Sequence, residues 1–215
     1  MDKVVEIHPD GECHPISRPW VPEAPVALEY NGLSYAVMMA TPADLEDFAL
    51  GFALTEGLAA REDECTDVAV AEVDKGWIVR TRLTGLGVAQ LTERVRVRVA
   101  ESSCGLCGID NLEAVARPLP QVADHQLPAA EAVFRALEQL RGHQPLGRAT
   151  GAAHVAAYAT AQGDILHARE DVGRHNALDK LVGALARAGQ GAGDGFVVSS
   201  ARCSYEIVEK AVRAG

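Results

Sequence analysis

From residue 154 onward the chain alternates stretches that suit strands with stretches that suit helices, and no other feature restricts the fold as much. Residues 154–160 and 165–170 flank a turn at Gln162, Gly163 and Asp164. Leu178, Leu181, Val182 and Leu185 then fall at i, i+3, i+4 and i+7, one face of a helix, with Gly189 placed to close it. Residues 196–200 read as a short buried strand and 204–214 as a last helix. Strand, helix, strand, helix in that order predicts an α/β layered structure.

The preceding half follows other rules. Residues 1–25 carry Pro9, Pro15, Pro19, Pro22 and Pro25 without an apolar period, which predicts an extended arm. Residues 26–39 form a hairpin signal around Asn31 and Gly32, the pair favoured in a type I′ turn. Thr41 as N-cap, Pro42 as first helical residue and Asp44 as the other half of a capping box start a helix. Its buried face is Leu45, Phe48, Ala49 and Phe52, and Gly57 is placed to end it. A second hairpin is expected over 67–83, turning at Asp74, Lys75 and Gly76. Residues 91–99 alternate Val95, Val97 and Val99 with Arg94, Arg96 and Arg98, which predicts a strand with a solvated arginine face. Between 111 and 128, Pro118, Pro120 and Pro128 mark a linker, and Pro128 opens a helix that buries Val133, Leu137 and Leu140 before Gly142. The expected organisation is an arm (1–25), a smaller β-rich part (26–117) and an α/β domain (118–215).

With 48% hydrophobic and 23% charged residues, the chain is that of an ordinary globule and not of a disordered or disulfide-dense protein. A net charge of −10 argues against nonspecific nucleic-acid or anionic-membrane partners. The start lacks a secretory pattern and no apolar run spans a bilayer, so a cytoplasmic location is expected. Five cysteines with one close pair are not a secreted disulfide framework.

That pair, Cys104 and Cys107 in Ser102-Ser-Cys-Gly-Leu-Cys-Gly108, is the sharpest local feature. Two cysteines three apart can share a metal, close a disulfide, or set a reactive thiolate beside a second sulfur. Structural zinc needs four ligands, and no second CxxC or HxxxH completes a site, although Cys65, Cys203 or a histidine stands elsewhere in the chain. A thioredoxin motif would open a clear helix, and residues 109–117 are weakly helical. Redox, transfer and metal roles all stay open on the motif alone.

Two further clusters sit at strand-to-helix junctions. Arg169, Arg174, His175 and Asn176 surround the start of the Leu178 helix, where free N–H groups favour an anion. The bland reading is a capped helix start with arginine paired to Glu170 or Asp171. Ser199, Ser200, Arg202, Cys203 and Ser204 occupy the second junction, and ligands of α/β sheets collect outside strand carboxyl ends. Cys203 reads as a small buried residue. The glycines of 189–195 precede a strand, the wrong context for a phosphate loop, and read as a linker.

Taken together, several segments resemble one family in the right order. They are Tyr30-Asn-Gly-Leu-Ser-Tyr-Ala-Val37, Leu50-Gly-Phe-Ala-Leu-Thr-Glu-Gly57, Cys104-Gly-Leu-Cys-Gly108, Thr150-Gly-Ala-Ala-His154, Arg169-Glu-Asp-Val-Gly-Arg-His-Asn-Ala-Leu-Asp-Lys180 and Ser200-Ala-Arg-Cys-Ser-Tyr-Glu206. They look like the formate dehydrogenase accessory sulfurtransferase family (FdhD). The resemblance implies a cytidine-deaminase-like α/β layer domain carrying a smaller N-terminal part. It implies an enzyme that takes sulfane sulfur from a cysteine desulfurase as a cysteine persulfide. The sulfur passes to the molybdenum of a bis(molybdopterin guanine dinucleotide) cofactor for formate dehydrogenase. Cys104 and Cys107 are then the persulfide candidates, with Cys104 favoured because it follows the arginine-bearing run more closely. The resemblance also implies a homodimer.

Arg169, Arg174, His175 and Arg202 are candidate cofactor contacts on the anion-site argument. Ala201 stands where the family often has glycine. Family members continue past the position of Gly215 with another strand, a helix and a cofactor-binding motif. The H-x-E and P-C-x-x-C signature of zinc deaminases is absent, so neither deaminase chemistry nor catalytic zinc is expected. A metal-binding structural or interaction module and a dithiol oxidoreductase are the competing readings.

Overall fold

A computed structural model describes residues 4–97, 119–122, 124, 126–191, 193 and 195–215. Cys104 and Cys107, Arg98 and Val99, the 117/118 boundary and most of the 111–128 linker lie outside the described residues.

The expected arm folds back on itself: β1 (Val4–Ile7) and β2 (Cys13–Ile16) pair antiparallel. Next come β3 (Ala24–Tyr30) and β4 (Leu33–Ala40), joined at the expected turn. Asn31 and Gly32 both have positive φ, 52° and 78°, as a type I′ turn demands. The hairpin β5 (Cys65–Val73) and β6 (Gly76–Leu83) also forms as expected. The four strands make one sheet in the order β4-β3-β6-β5, with β3 and β6 parallel. One face buries Val26, Leu28, Tyr30 and Val79 against α1 (Leu45–Thr55), which supplies Phe48 and Phe52. The Tyr30 hydroxyl donates to the carbonyl of Ala49 at 2.7 Å, satisfying the polar end of a fully buried ring.

Two local expectations fail here. The helix starts at Leu45 instead of Pro42, because Thr41 is recruited elsewhere: its N–H donates to Asp171 and its hydroxyl accepts from Val172. Residues 88–97 form helix α2 (Val88–Val97) and not a strand. Gly87 N–H donates to Gln90 Oε1 at the helix start, and Leu91 is fully buried in the α1 core. A first turn of Ala89, Gln90 and Leu91 favours helix, and burial of Leu91 overrides the β propensity of the valines behind it.

The second layer system contains α3 (Ala130–Leu140), α4 (Pro145–Thr150), β7 (His154–Ala159), β8 (Ile165–Asp171), α5 (Arg174–Arg187), β9 (Phe196–Ser199) and α6 (Tyr205–Ala214). The sheet order is β8-β7-β9, all antiparallel, so the α/β class read from the sequence is observed. Along β7 the side chains alternate: Val155, Ala157 and Ala159 face α3, while Ala156 and Tyr158 face α5. The buried side of α3 is Ala132, Ala136 and Leu140; Leu140 is buried as expected, but Val133 is only partly buried and Leu137 is half exposed. Small residues win because the helix lies against the β7–β8 turn, where a side chain on Gly163 would strike the Ala132 carbonyl.

Helix α5 is buried on two faces. Leu178, Leu181 and Val182 meet the sheet, as the spacing predicts. A second set, Asn176, Asp179, Lys180 and Gly183, repeats the same spacing two residues earlier and faces the end of β4, the linker after it and α1. The two helices cross backbone to backbone: a Cβ on Gly51 would overlap the Asp179 carbonyl, and one on Gly183 the Asp47 carbonyl.

Candidate functional site

Because β7 runs against both neighbours, its start shares one sheet edge with the ends of β8 and β9. His154 lies opposite Asp171, and Ala156 opposite Ser199. Helices α5 and α6 both begin at that edge. The two junction clusters singled out in the sequence are therefore neighbours in space. Neither Gly173 before α5 nor Ser204 before α6 caps its helix with a side chain. The Ser204 hydroxyl oxygen is buried with no hydrogen-bond partner among the described residues. The N-terminal ends of two helices, with their partial positive charge, thus lie at the same edge.

Around them stand four side chains. His175 Nε2 lies 2.9 Å from Glu206 Oε2, joining α5 to α6. Burial alone would raise the Glu206 carboxyl, but the His175 hydrogen bond and charge, helped by Lys210, hold it below its ordinary value. Glu206 is therefore a carboxylate at neutral pH. His154 Nδ1 lies 3.3 Å from Ser200 Oγ. Burial and the nearby Arg174 cation lower the His154 pKa against the opposing pull of Asp171, so its imidazole is neutral at neutral pH. His154 was not singled out as a site residue by the sequence; its place opposite Asp171 shows only once the strands are paired.

Arg169 is placed differently. It sits on the α1 side of β8, where Nε donates to Asp47 Oδ2 at 2.8 Å and Nη2 approaches the same oxygen at 2.7 Å. Arg187 takes the other carboxylate oxygen, with Nη1 2.9 Å from Oδ1. Arg169 therefore faces a carboxylate; Arg174 is the first residue of α5, and Arg202 lies on the loop after β9. Glu170, on the opposite side of the strand, accepts the N–H groups of Leu146 and Gly147 and so fixes the start of α4.

The turn that carries Arg174 and His175 is held by a buried hub. Asp171 Oδ1 accepts from Gly173 N–H at 2.7 Å and from Asn176 Nδ2 at 2.9 Å. Its Oδ2 accepts from Lys180 Nζ at 2.6 Å and from Thr41 N–H at 3.0 Å. Neither Asp171 nor Lys180 has any solvent exposure in its side chain. A second network joins α1, α5 and α6: Lys210 Nζ reaches Asp179, Thr55 and Glu56 within 3.1 Å. Burial opposes the Lys210 charge, but the Asp179 and Glu56 carboxylates outweigh it and keep the ammonium protonated. Sequence reasoning missed both networks. Their signal was a polar set at helical spacing in a helix already supplied with an apolar one.

The three described cysteines divide by environment. Cys13 and Cys203 are exposed, so Cys203 is not the buried residue its type suggested, and Cys65 is half-buried. Burial, followed by the Glu64 charge, pushes the Cys65 thiol up to about 11. Its thiolate is scarce at neutral pH, and the thiolate is the nucleophile. Brief alkylation with iodoacetamide near neutral pH is expected to label Cys13 and Cys203 and to spare Cys65 on peptide mapping. Labelling of all three at equal rates would contradict this. Among the described residues, no three His, Cys, Asp or Glu side chains are grouped to hold a metal, and no helix is long and apolar enough to cross a membrane.

Comparison with known proteins gives a consistent result. A model of the FdhD/NarQ family matches residues 21–215. The chain is 47% identical over 193 residues to the sulfur carrier protein FdhD of Bordetella petrii, covering 90% of this chain and 69% of the relative. It is 44% identical over 212 residues to the protein of the same name from Xanthomonas campestris pv. campestris strain B100, covering 99% of this chain and 75% of the relative. Among solved structures, a Desulfotalea psychrophila protein described as a formate dehydrogenase accessory protein superposes with a TM-score of 0.73 at 25% identity. That match covers 100% of this chain and 79% of the other.

Proposed function

The chain belongs to the FdhD/NarQ family, whose matched relatives are sulfur carrier proteins, and from that premise we propose how it carries sulfur. The protein is a sulfurtransferase of the cytoplasm that serves the maturation of formate dehydrogenase. A cysteine desulfurase donates sulfane sulfur to Cys104 or Cys107. The thiolate attacks the terminal sulfur of the donor's persulfide, the donor S–S bond breaks, and the donor cysteine leaves as a thiolate. Attack of the second cysteine on the inner sulfur of the new persulfide closes a disulfide and releases the terminal sulfur as sulfide. The two electrons come from the cysteine pair, which an external thiol then restores. The acceptor substrate is the molybdenum of a bis(molybdopterin guanine dinucleotide) cofactor.

The observation that carries this reading is the convergence of two uncapped helix starts with Arg174, His175, Arg202 and a neutral His154 at one sheet edge. Cations, N–H donors and the unpartnered Ser204 hydroxyl suit the pyrophosphate groups of such a cofactor. Arg174, His175 and Arg202 are its proposed contacts. Arg169 would join them by exchanging Asp47 for a phosphate, as His175 would by exchanging Glu206. Two copies of the chain form the working unit.

Sulfur loading and sulfur delivery use different residues on this account. Arg174→Ala and Arg202→Ala are expected to accept sulfur from the desulfurase at the wild-type rate. Each is expected to lower formate dehydrogenase activation by about tenfold or more, as loss of a charge-assisted phosphate contact does. Activation at the wild-type level by both variants would remove this edge from the cofactor site.

A further inference from the structure

We propose that Thr41, with Asn176 and the buried Asp171–Lys180 pair, is a positioning residue for the cofactor site, so that the β4–α1 linker sets the geometry of Arg174 and His175. The inference rests on the assignment of those two residues to the cofactor site.

Its ground is where the hydrogen bonds go. The linker crosses the turn between β8 and α5 and grips it through the N–H, hydroxyl and carbonyl of Thr41. Thr41 N–H donates to Asp171 Oδ2 at 3.0 Å, and Thr41 Oγ1 accepts from Val172 N–H at 3.1 Å. The Thr41 carbonyl accepts from Lys180 Nζ at 2.8 Å. One residue upstream but one, the Met39 carbonyl accepts from Asn176 Nδ2 at 2.9 Å. All four bonds join positions more than a hundred residues apart in the chain.

An ordinary helix start needs none of this. A serine or aspartate before α5 would cap it locally, yet Gly173 stands there and provides no side-chain cap. A side chain at Gly173 would strike Asn176 Nδ2, so the small residue keeps the space that lets Asn176 reach both Asp171 and Met39. Local capping has been exchanged for a long-range anchor, and the α5 N–H groups stay directed at the sheet edge. Displacing Val172 and Gly173 displaces Arg174 and His175, which follow with no intervening residue. The same anchor explains why the helix after Thr41 begins late: the residue that would cap α1 holds α5 instead.

Guanosine diphosphate carries the guanine and pyrophosphate end of the proposed cofactor and serves as the probe, titrated calorimetrically into the full chain. Thr41→Val removes the hydroxyl at constant shape and is expected to weaken binding by about tenfold, the usual scale for loss of a supporting hydrogen bond behind a binding group. Thr41→Ser keeps the hydroxyl and is expected to bind within about twofold of wild type. The His175 imidazole resonances are expected to shift in Thr41→Val and to return in Thr41→Ser. Leu140→Ala, buried on the far side of the sheet, provides a protein destabilised away from the hub, and its binding is expected to stay at the wild-type level. Asn176→Ala, which cuts a second link while leaving the Asp171–Lys180 pair, is read in the same way should Thr41→Val not fold.

Wild-type binding and unshifted His175 resonances in Thr41→Val, with binding lost in Arg174→Ala, would overturn the positioning role and leave the site standing. Equal binding by Arg174→Ala and wild type, or no binding by wild type, would overturn the site and this inference with it.

Discussion

Gly51→Ala and Gly183→Ala are each expected to remove a large part of the protein's stability. A methyl group at either position would overlap a main-chain carbonyl of the facing helix, of Asp179 in one case and Asp47 in the other. A flexible side chain can turn away from such a contact, but a helix backbone has to move as a whole. Separating α1 from α5 would stretch the Thr55–Asp179 bond of 2.6 Å and the Arg187–Asp47 bond of 2.9 Å, both at the same seam. Overpacking a core costs about 1–3 kcal/mol, and moving two helices with their buried polar partners raises the expectation to about 3–5 kcal/mol. For a chain of this size that is a fall in Tm of roughly 10 °C or more. Gly142→Ala is the contrast: an added Cβ there meets nothing within 4 Å. Its stability is expected to stay within about 0.5 kcal/mol of wild type. Thermal unfolding followed by circular dichroism measures all three, and an unchanged Tm in the seam variants would refute the close helix crossing.

The other large effect falls on the chemistry. Alanine at the sulfur-bearing cysteine leaves no thiolate there to attack the donor persulfide, and Cys203, although exposed on the loop after β9, has no second cysteine near it in sequence to release the sulfur. Cys65 is protonated well above neutral pH by burial, and Cys13 lies in the N-terminal hairpin. Activation of formate dehydrogenase is therefore expected to drop to background in Cys104→Ala or in Cys107→Ala, whichever carries the sulfur. The partner variant still loads sulfur but cannot expel it as sulfide by closing a disulfide, so it accumulates the persulfide and delivers slowly. Cys13→Ser, Cys65→Ser and Cys203→Ser are expected to retain activation. Retained activation with both members of the pair replaced would contradict the assignment.

Much of the fold was legible because local signals and tertiary packing agree. Asn31 and Gly32 turn the first hairpin, Gly76 ends the turn of the second, and the Leu178–Leu185 spacing gives α5 its sheet-facing side. Expectations failed where a distant contact outvoted a local preference. Thr41 has the chemistry of an N-cap but bonds Val172 instead, and the valines near 95 favour strand while Leu91 is drawn into the α1 core as part of a helix. In α3, the larger Leu137 yields the buried face to Ala132 and Ala136 because the sheet turn comes too close for it. The candidate site shows the same division. Antiparallel pairing of β7 with both neighbours brings the two junction clusters together, as their shared strand-to-helix context suggested. Arg169 looked equivalent to Arg174 in the sequence, but the alternation of a strand sends it to Asp47 on the α1 side. Asn176 and Lys180 showed only as polar residues at helical spacing beside the apolar set; that Asp171 and Thr41 complete their hub could not be read, since those partners lie outside the helix.

If this protein carries sulfur on its cysteine pair, mass spectrometry of the intact chain detects the added atom. After incubation with a cysteine desulfurase and cysteine, followed by desalting without reductant, the wild-type chain is expected to gain the mass of one sulfur atom. Peptide mapping is expected to place it on Cys104 or Cys107, and a thiol reductant to remove it. A chain that gains no sulfur under these conditions, while retaining stoichiometric zinc on the pair or cycling a Cys104–Cys107 disulfide against protein substrates, would contradict the account.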